Sequence, residues 1–171
     1  MKYADCRDQI STGDLIAIRK RTGFLPVLTR WVTRSPYTHT ALALWTGDRL
    51  LVAESKGSGN FLTPLSQYEG TDFDVFAAPA RVYLRIGTVI WAMTGTHVGY
   101  GFLDLVLIAL NRLFGVPLPE HDDDEKVCSA MSAAMWLEAG WRPLILPSIP
   151  APDDVVRACM AAPKWMVRVD G

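Results

Sequence analysis

The 171-residue chain has no cysteine pairs, no excess of either charge and no long unbroken apolar run. Its three cysteines, Cys6, Cys128 and Cys159, are odd in number and form no C-x-x-C pair. They cannot all be bridged, which argues against a disulfide framework and for a reducing compartment, with the cytosol as the expected location. Seventeen basic residues against eighteen acidic ones leave a net charge of −1, so there is no broad basic field and nucleic-acid binding is not expected. The opening residues, Met1 to Asp8, lack the apolar centre of a secretory signal. The most apolar stretch, Val98 to Val116, is broken by Gly99, Gly101 and Gly115 and carries Asp104, Asn111 and Arg112. It is too short and too charged to span a bilayer comfortably, and reads as a buried core helix, with a lipid- or partner-docking surface as the alternative. Neither HExxH nor CxxC spacing occurs, so no metal or cofactor is expected. His121 followed by Asp122, Asp123, Asp124 and Glu125 looks metal-friendly, yet carboxylates ahead of a helix serve as caps and dipole partners. Gly57-Ser58-Gly59 has no lysine or following helix and reads as a loop rather than a phosphate cradle.

What is present suits one domain over residues 1–171: half the residues are hydrophobic, and a chain of this length buries roughly 70% of its unfolded surface. Gly13-Asp14-Leu15-Ile16-Ala17-Ile18 reads as a turn entering a short strand. A helix follows with Pro26 in its first turn and Leu28, Trp31 and Val32 as an apolar stripe, stopped at Ser35-Pro36. Thr40 to Trp45 and Arg49 to Ser55 read as strands joined by a tight turn at Gly47-Asp48, and the residues from Gly57 to Phe61 as a loop. Phe73 to Ala77 is expected as a strand, Tyr83 to Thr94 and Phe102 to Phe114 as helices, and Met166 to Val169 as a last strand. Strands early and helices late predict an α+β fold, a small antiparallel sheet packed against helices.

The chemistry gathers at three residues. Cys128 opens an amphipathic helix, where unpaired N–H groups and the positive dipole end favour thiolate and lower a reactive cysteine's pKa from about 8.5 to roughly 3.5–7.5. His39 begins an alternating strand and is the candidate base. With Gly47 and Asp48 as the turn, Trp45 pairs with Leu50, Ala43 with Val52 and Ala41 with Glu54. His39 and Glu54 then share one sheet face as diagonal neighbours, about 7–8 Å apart at the backbone. A carboxylate there would orient the imidazole and stabilise its charged form. Tyr37, two residues before His39, is a candidate oxyanion donor or cleft wall beside the Cys128 backbone N–H. Cys159 reads as packing on a helix and Cys6 as an exposed bystander.

Gly13-Asp14-Leu15-Ile16, Ser35 to Leu42 around His39, Val52-Ala53-Glu54-Ser55 with Gly59-Asn60-Phe61, and Val127-Cys128-Ser129 together resemble the YiiX-like, circularly permuted branch of the NlpC-type papain-like hydrolases. Four short matches fall in that branch's order across more than a hundred residues. Tyr100 to Asp104 and Pro147 to Asp153 look like segments around that family's cysteine helix. The resemblance implies a permuted papain-like fold with Cys128 as nucleophile, His39 as general base and acid, and Glu54 orienting His39. Where family members often carry Glu-Leu after the Cys-Ser pair, this chain has Ala130-Met131. The implied activity is a cysteine hydrolase or amidase acting through a Cys128 thioester on a small peptide, with cell-wall peptides as the leading guess. Lipid acyl chemistry of the lecithin:retinol acyltransferase type is the second reading, and an inactive binding module the third.

Overall fold

The computed structural model describes residues 3–56, 59–94, 102–118, 127–161 and 168–169. A short helix, α1 (Tyr3–Cys6), leads through a 3-10 turn to β1 (Leu15–Ile18), followed by α2 (Phe24–Thr33), β2 (His39–Thr46), β3 (Arg49–Lys56) and β4 (Gly59–Pro64). After a 3-10 turn at Leu65–Tyr68 come β5 (Phe73–Phe76), α3 (Ala80–Tyr83), α4 (Ile86–Thr94), α5 (Phe102–Phe114), α6 (Cys128–Glu138), α7 (Pro152–Ala161) and β6 (Arg168–Val169). The strands form one sheet in the order β4-β3-β2-β1-β5-β6, antiparallel at every pairing.

Gly13 and Asp14 anchor this sheet to its surroundings. Gly13 has φ +94, a left-handed conformation that favours glycine, and an added Cβ would lie 2.6 Å from Cγ2 of Ile86. Its N–H donates to the Ala43 carbonyl and its own carbonyl accepts the Trp136 indole N–H at 2.8 Å, so one residue touches strand and helix layers together. Asp14 is almost fully buried and accepts from the Ser11 N–H, the Ala78 N–H and the Tyr83 hydroxyl at 2.7, 2.9 and 2.8 Å. Asp14→Ala is expected to cost about 2 kcal/mol, because the buried Ala78 N–H loses its acceptor out of reach of water, while the Ser11 N–H and the partly exposed Tyr83 hydroxyl can turn to solvent. Urea unfolding of the purified variant measures it.

Alternation sorts the strands between two cores. Leu15, Ala17, Leu42, Leu44, Ala53 and Phe76 pack with Ile86 and Ile90 of α4, Met131 and Trp136 of α6, and Val155 and Cys159 of α7. Ile16, Ile18, Ala41, Ala43, Val52 and Val75 pack on the other face with Cys6, Ile10 and Leu65. Cys6 is fully buried there, so it is packing rather than the exposed bystander its place in the sequence suggests. A third cluster joins Ile108 of α5 to Val127, Ala130, Ile149 and Ala151 beside the start of α6.

Three elements differ from expectation. The segment after Gly59 is a strand, β4, paired along its whole length with β3. The helix expected over Tyr83 to Thr94 is two helices, the first ending at Tyr83 and the second beginning at Ile86. Of the last strand expected over Met166 to Val169, Arg168–Val169 are strand, and Met166 and Val167 lie outside the described residues. Lastly, α5 is only half a core helix: Ile108 is buried, whereas Val106, Leu110, Leu113 and Phe114 are exposed. Composition cannot separate these outcomes, since an apolar helix is buried only where another element covers it. Gly57-Ser58, His97 and the acidic run from Asp122 to Glu125 with His121 lie outside the described residues.

Candidate active site

The hairpin pairs Thr46 with Arg49, Trp45 with Leu50, Ala43 with Val52 and Leu42 with Ala53 around the turn at Gly47-Asp48. With this register His39 and Glu54 fall on one face, and His39 Nε2 lies 2.8 Å from Glu54 Oε2. Binding the carboxylate through Nε2 leaves Nδ1 to meet the thiol, and His39 does interact with Cys128 by hydrogen bond and charge.

Cys128 reaches the imidazole from the other side of the sheet. Helix α6 packs in the core containing Leu42 and Ala53, while His39 belongs to the face of Ala41 and Ala43. The two meet at the start of β2, where the backbone N–H of Thr40 points at the sulfur. A polar chain holds this crossing. The Thr40 hydroxyl donates to Ser132 Oγ at 3.2 Å, and the Ser132 hydroxyl donates to the Cys128 carbonyl at 3.0 Å. Ser129, buried beside Cys128, donates to the Pro150 carbonyl at 2.7 Å, which ties the first turn of α6 to the proline-bearing segment before α7. Ala130 and Met131, the departure from the family pattern, are both buried packing residues.

Glu54 is the electrostatic centre of the group. Its side chain is 0% exposed and accepts from His39, Gln67 Nε2 at 2.7 Å, the Tyr68 hydroxyl at 2.5 Å and the Thr63 hydroxyl, with Lys56 Nζ at 2.7 Å. Thr63, Gln67 and Tyr68 were not apparent as site residues in the sequence, because β4 and the turn after it were not. Lys56, two residues beyond Glu54 on β3, falls on the same sheet face, and its ammonium also lies 5.7 Å from the Tyr68 ring centre.

These contacts set the protonation states. For Glu54, burial would raise the pKa, but His39 first, then Lys56 and Thr63, hold it well below the usual carboxylate range. For His39, burial would favour the neutral ring, yet the charge and hydrogen bond of Cys128, followed by those of Glu54, lift it to about 10. For Cys128, burial opposes ionisation and is outweighed by the His39 charge and hydrogen bond and by the N–H groups of Thr40 and Ser129, which lower its pKa from 9.0. Cys159 has no such neighbours and burial pushes its thiol up. The arrangement therefore favours a thiolate–imidazolium pair backed by a carboxylate. Tyr68 stays a neutral donor, because burial and then the Glu54 charge raise its pKa.

Tyr37 is placed elsewhere in the network. Its hydroxyl donates to Asp74 Oδ2 at 2.8 Å, and its ring meets Phe76 edge-on. With its one proton on Asp74, that hydroxyl is not offered to an oxyanion; Tyr37 braces β5 against the segment entering β2. Asp74 also pairs with Arg19 at 3.2 Å.

Fold and site together define an α+β protein with a Cys–His–Glu cluster in which the thiol comes from a helix start and its partners from a hairpin. No family model matches the chain, and a search of curated proteins returns no match. Among solved structures it is similar to the metalloprotein yiiX from Escherichia coli O157:H7, with a TM-score of 0.66 at 18% identity, covering 95% of this chain and 97% of that one. The chain has a yiiX-like fold.

Proposed function

We propose that this protein is a cysteine hydrolase or acyl transferase of the permuted papain-like type, acting on an amide or ester carbonyl through a thioester on Cys128. The observation that carries the reading is the His39 imidazole held between a buried carboxylate and the Cys128 thiol, with charge balance favouring the ion pair. In the first half-reaction the Cys128 sulfur attacks the carbonyl carbon and the C–O double bond opens to an oxyanion. The Cys128 backbone N–H, at the start of α6, is the natural donor to that oxygen. His39 then gives its Nδ1 proton to the leaving nitrogen or oxygen as that bond breaks, leaving a thioester and a neutral ring. In the second half His39 takes a proton from water, or from an acceptor alcohol or amine, which attacks the thioester carbonyl; the C–S bond breaks and the Cys128 thiolate is released beside the imidazolium. Glu54 keeps its proton-free form and holds the ring through Nε2 during both halves.

The yiiX structure is described as that of a metalloprotein. Here, among the described residues, no three or more His, Cys, Asp and Glu side chains gather where they could hold a metal ion. Both Glu54 oxygens are already shared among five donors. The described donor set does not fit a metal.

An activated acyl ester tests the reading without knowledge of the natural substrate. With p-nitrophenyl acetate, wild type is expected to release a burst of nitrophenolate equal to the protein present and to carry an acetyl group on Cys128, located by peptide mass mapping. Cys128→Ala should give neither, whereas Cys159→Ala and Cys6→Ala should keep both. No burst and no adduct in wild type would sink the proposal and leave a binding module on this scaffold.

A further inference from the structure

Helix α2 is exposed to an extent that its composition does not predict. Of its ten residues only Val32 is buried, although the sequence is Phe-Leu-Pro-Val-Leu-Thr-Arg-Trp-Val-Thr. Phe24 is 79% exposed and Trp31 65%, and Val27 and Leu28 between them are exposed as well. These four fall at helical spacing and make one outward apolar stripe. Isolated exposed apolar residues are ordinary, but a run ending in two large aromatics on one short helix marks an interaction surface.

The charges around the stripe say what it meets. From Leu15 to Gly47 the chain carries Arg19, Lys20, Arg21, Arg30 and Arg34 and no acidic residue. Arg19 and Arg21 are matched by Asp74 and Asp72. Lys20, Arg30 and Arg34 have no carboxylate partner among the described residues and are exposed. Arg30 and Arg34 also line, with Val27, Trp31, Ser35 and Pro36, an open cleft of about 490 Å³. Two guanidiniums beside an indole, on the flank of an apolar stripe, suit a phosphate headgroup whose acyl chains meet the stripe.

We propose that this face of α2 docks on an anionic phospholipid surface, Phe24, Val27, Leu28 and Trp31 entering the acyl boundary and Lys20, Arg30 and Arg34 meeting phosphate. The location gives the docking a consequence for the site. Five residues separate the end of α2 at Thr33 from His39, so a bilayer seated on α2 lies close along the chain to the base. Helix α5, which contacts α2, carries exposed Val106, Leu110, Leu113 and Phe114 of its own. The docking does not depend on the thiol chemistry.

Co-sedimentation of the full chain with vesicles tests it. Vesicles of 30% phosphatidylglycerol in phosphatidylcholine should take up the protein at 0.1 M salt, and pure phosphatidylcholine should take up at least tenfold less. Uptake should fall steeply as salt rises. Arg30→Glu with Arg34→Glu, and separately Phe24→Ser with Trp31→Ser, should each lower partitioning at least tenfold. Because all four residues are exposed, circular dichroism and thermal midpoint should be unchanged. Cys128→Ala should bind as wild type does, so loss of the catalytic reading would leave this one standing. No uptake by anionic vesicles, equal uptake by neutral ones, or uptake that both double variants retain would overturn it. So would a dimer in sedimentation velocity that Phe24→Ser with Trp31→Ser breaks while vesicles are ignored, which would assign the face to a second copy.

Discussion

At pH 6, His39→Ala is expected to label with iodoacetamide at Cys128 at least about thirty-fold more slowly than wild type. An ordinary thiol with a pKa near 8.5 is roughly 0.3% ionised at that pH, whereas the ion pair keeps Cys128 mostly thiolate. A stabilised thiolate is intrinsically less nucleophilic, which returns about one order of magnitude of the difference. In wild type the labelling rate should reach its plateau well below pH 8.5. In the variant only the opposing burial and two backbone N–H groups remain, and the rate should climb through the alkaline range. Equal profiles in the two proteins would mean that His39 does not set the state of the thiol. Cys159 and Cys6, both buried and both with raised pKa, should label slowly in either protein.

The same pair contributes to stability in a pH-dependent way whose sign can be worked out. Glu54, with its folded pKa depressed below 4.5, contributes stability that is present above the unfolded value and is lost as acid protonates the folded carboxylate. Cys128, depressed from 9.0, behaves likewise: between its folded and unfolded values the unfolded chain holds the extra proton and stability rises with pH. His39, raised from 6.5 to about 10, contributes fully below 6.5 and loses that contribution as pH climbs to about 10. Between the folded pKa of Cys128 and 9.0 the cysteine slope opposes the histidine slope, and above about 9 the histidine loss is unopposed. The triad's contribution should therefore fall between about pH 9 and 10. Urea midpoints of wild type should drop across that interval, and His39→Ala should show less of the drop.

Glu54→Ala is expected to have the largest effect on the fold itself. It removes a buried acceptor from the imidazolium, the Lys56 ammonium, two hydroxyls and an amide together. Breaking a buried ion pair in this way costs roughly 3–5 kcal/mol, because the surviving charge is left without a partner. For a chain of this size that lowers the thermal midpoint by about 10 °C. Glu54→Gln keeps the volume and one acceptor oxygen and should fold better. It should nonetheless lose much of the acid-side labelling of Cys128, since a neutral amide cannot balance the imidazolium charge. If Glu54→Gln kept the wild-type labelling profile, the carboxylate would be a structural acceptor and not a positioning residue for the base.

Periodicity carried much of this molecule. The alternation from His39 to Trp45, the Gly-Asp turn and the continuation to Glu54 fix which residues share a face, because a one-residue slip would expose the whole apolar set. The observed pairing of Ala43 with Val52 and of Trp45 with Leu50 follows from that constraint. Helix α6 starts at Cys128, where it was expected, but eight of its eleven residues are buried, so it is not the amphipathic helix that the sequence suggests. β4 was hidden because Gly59, Asn60 and Pro64 are weak strand formers and its residues are mostly half-exposed, so neither propensity nor alternation marks it. Its pairing with β3 comes from the sheet edge that β3 presents, and Thr63, Gln67 and Tyr68 reach Glu54 only as a result.

By itself, then, the sequence determined the periods of the central hairpin: that β2 and β3 pair, which of their faces are apolar, and that a histidine and a glutamate share one face while a cysteine heads a helix. Only the tertiary structure decided that the thiol crosses from the opposite side of the sheet to meet that histidine, and that five donors converge on Glu54. It also decided that Cys6 is buried while the stripe of α2 stays open. The physical reason is one of range. Backbone dihedrals and side-chain alternation repeat within a few residues and can be read from neighbours. Burial, charge balance and proton affinity depend on what distant segments bring within a few ångströms.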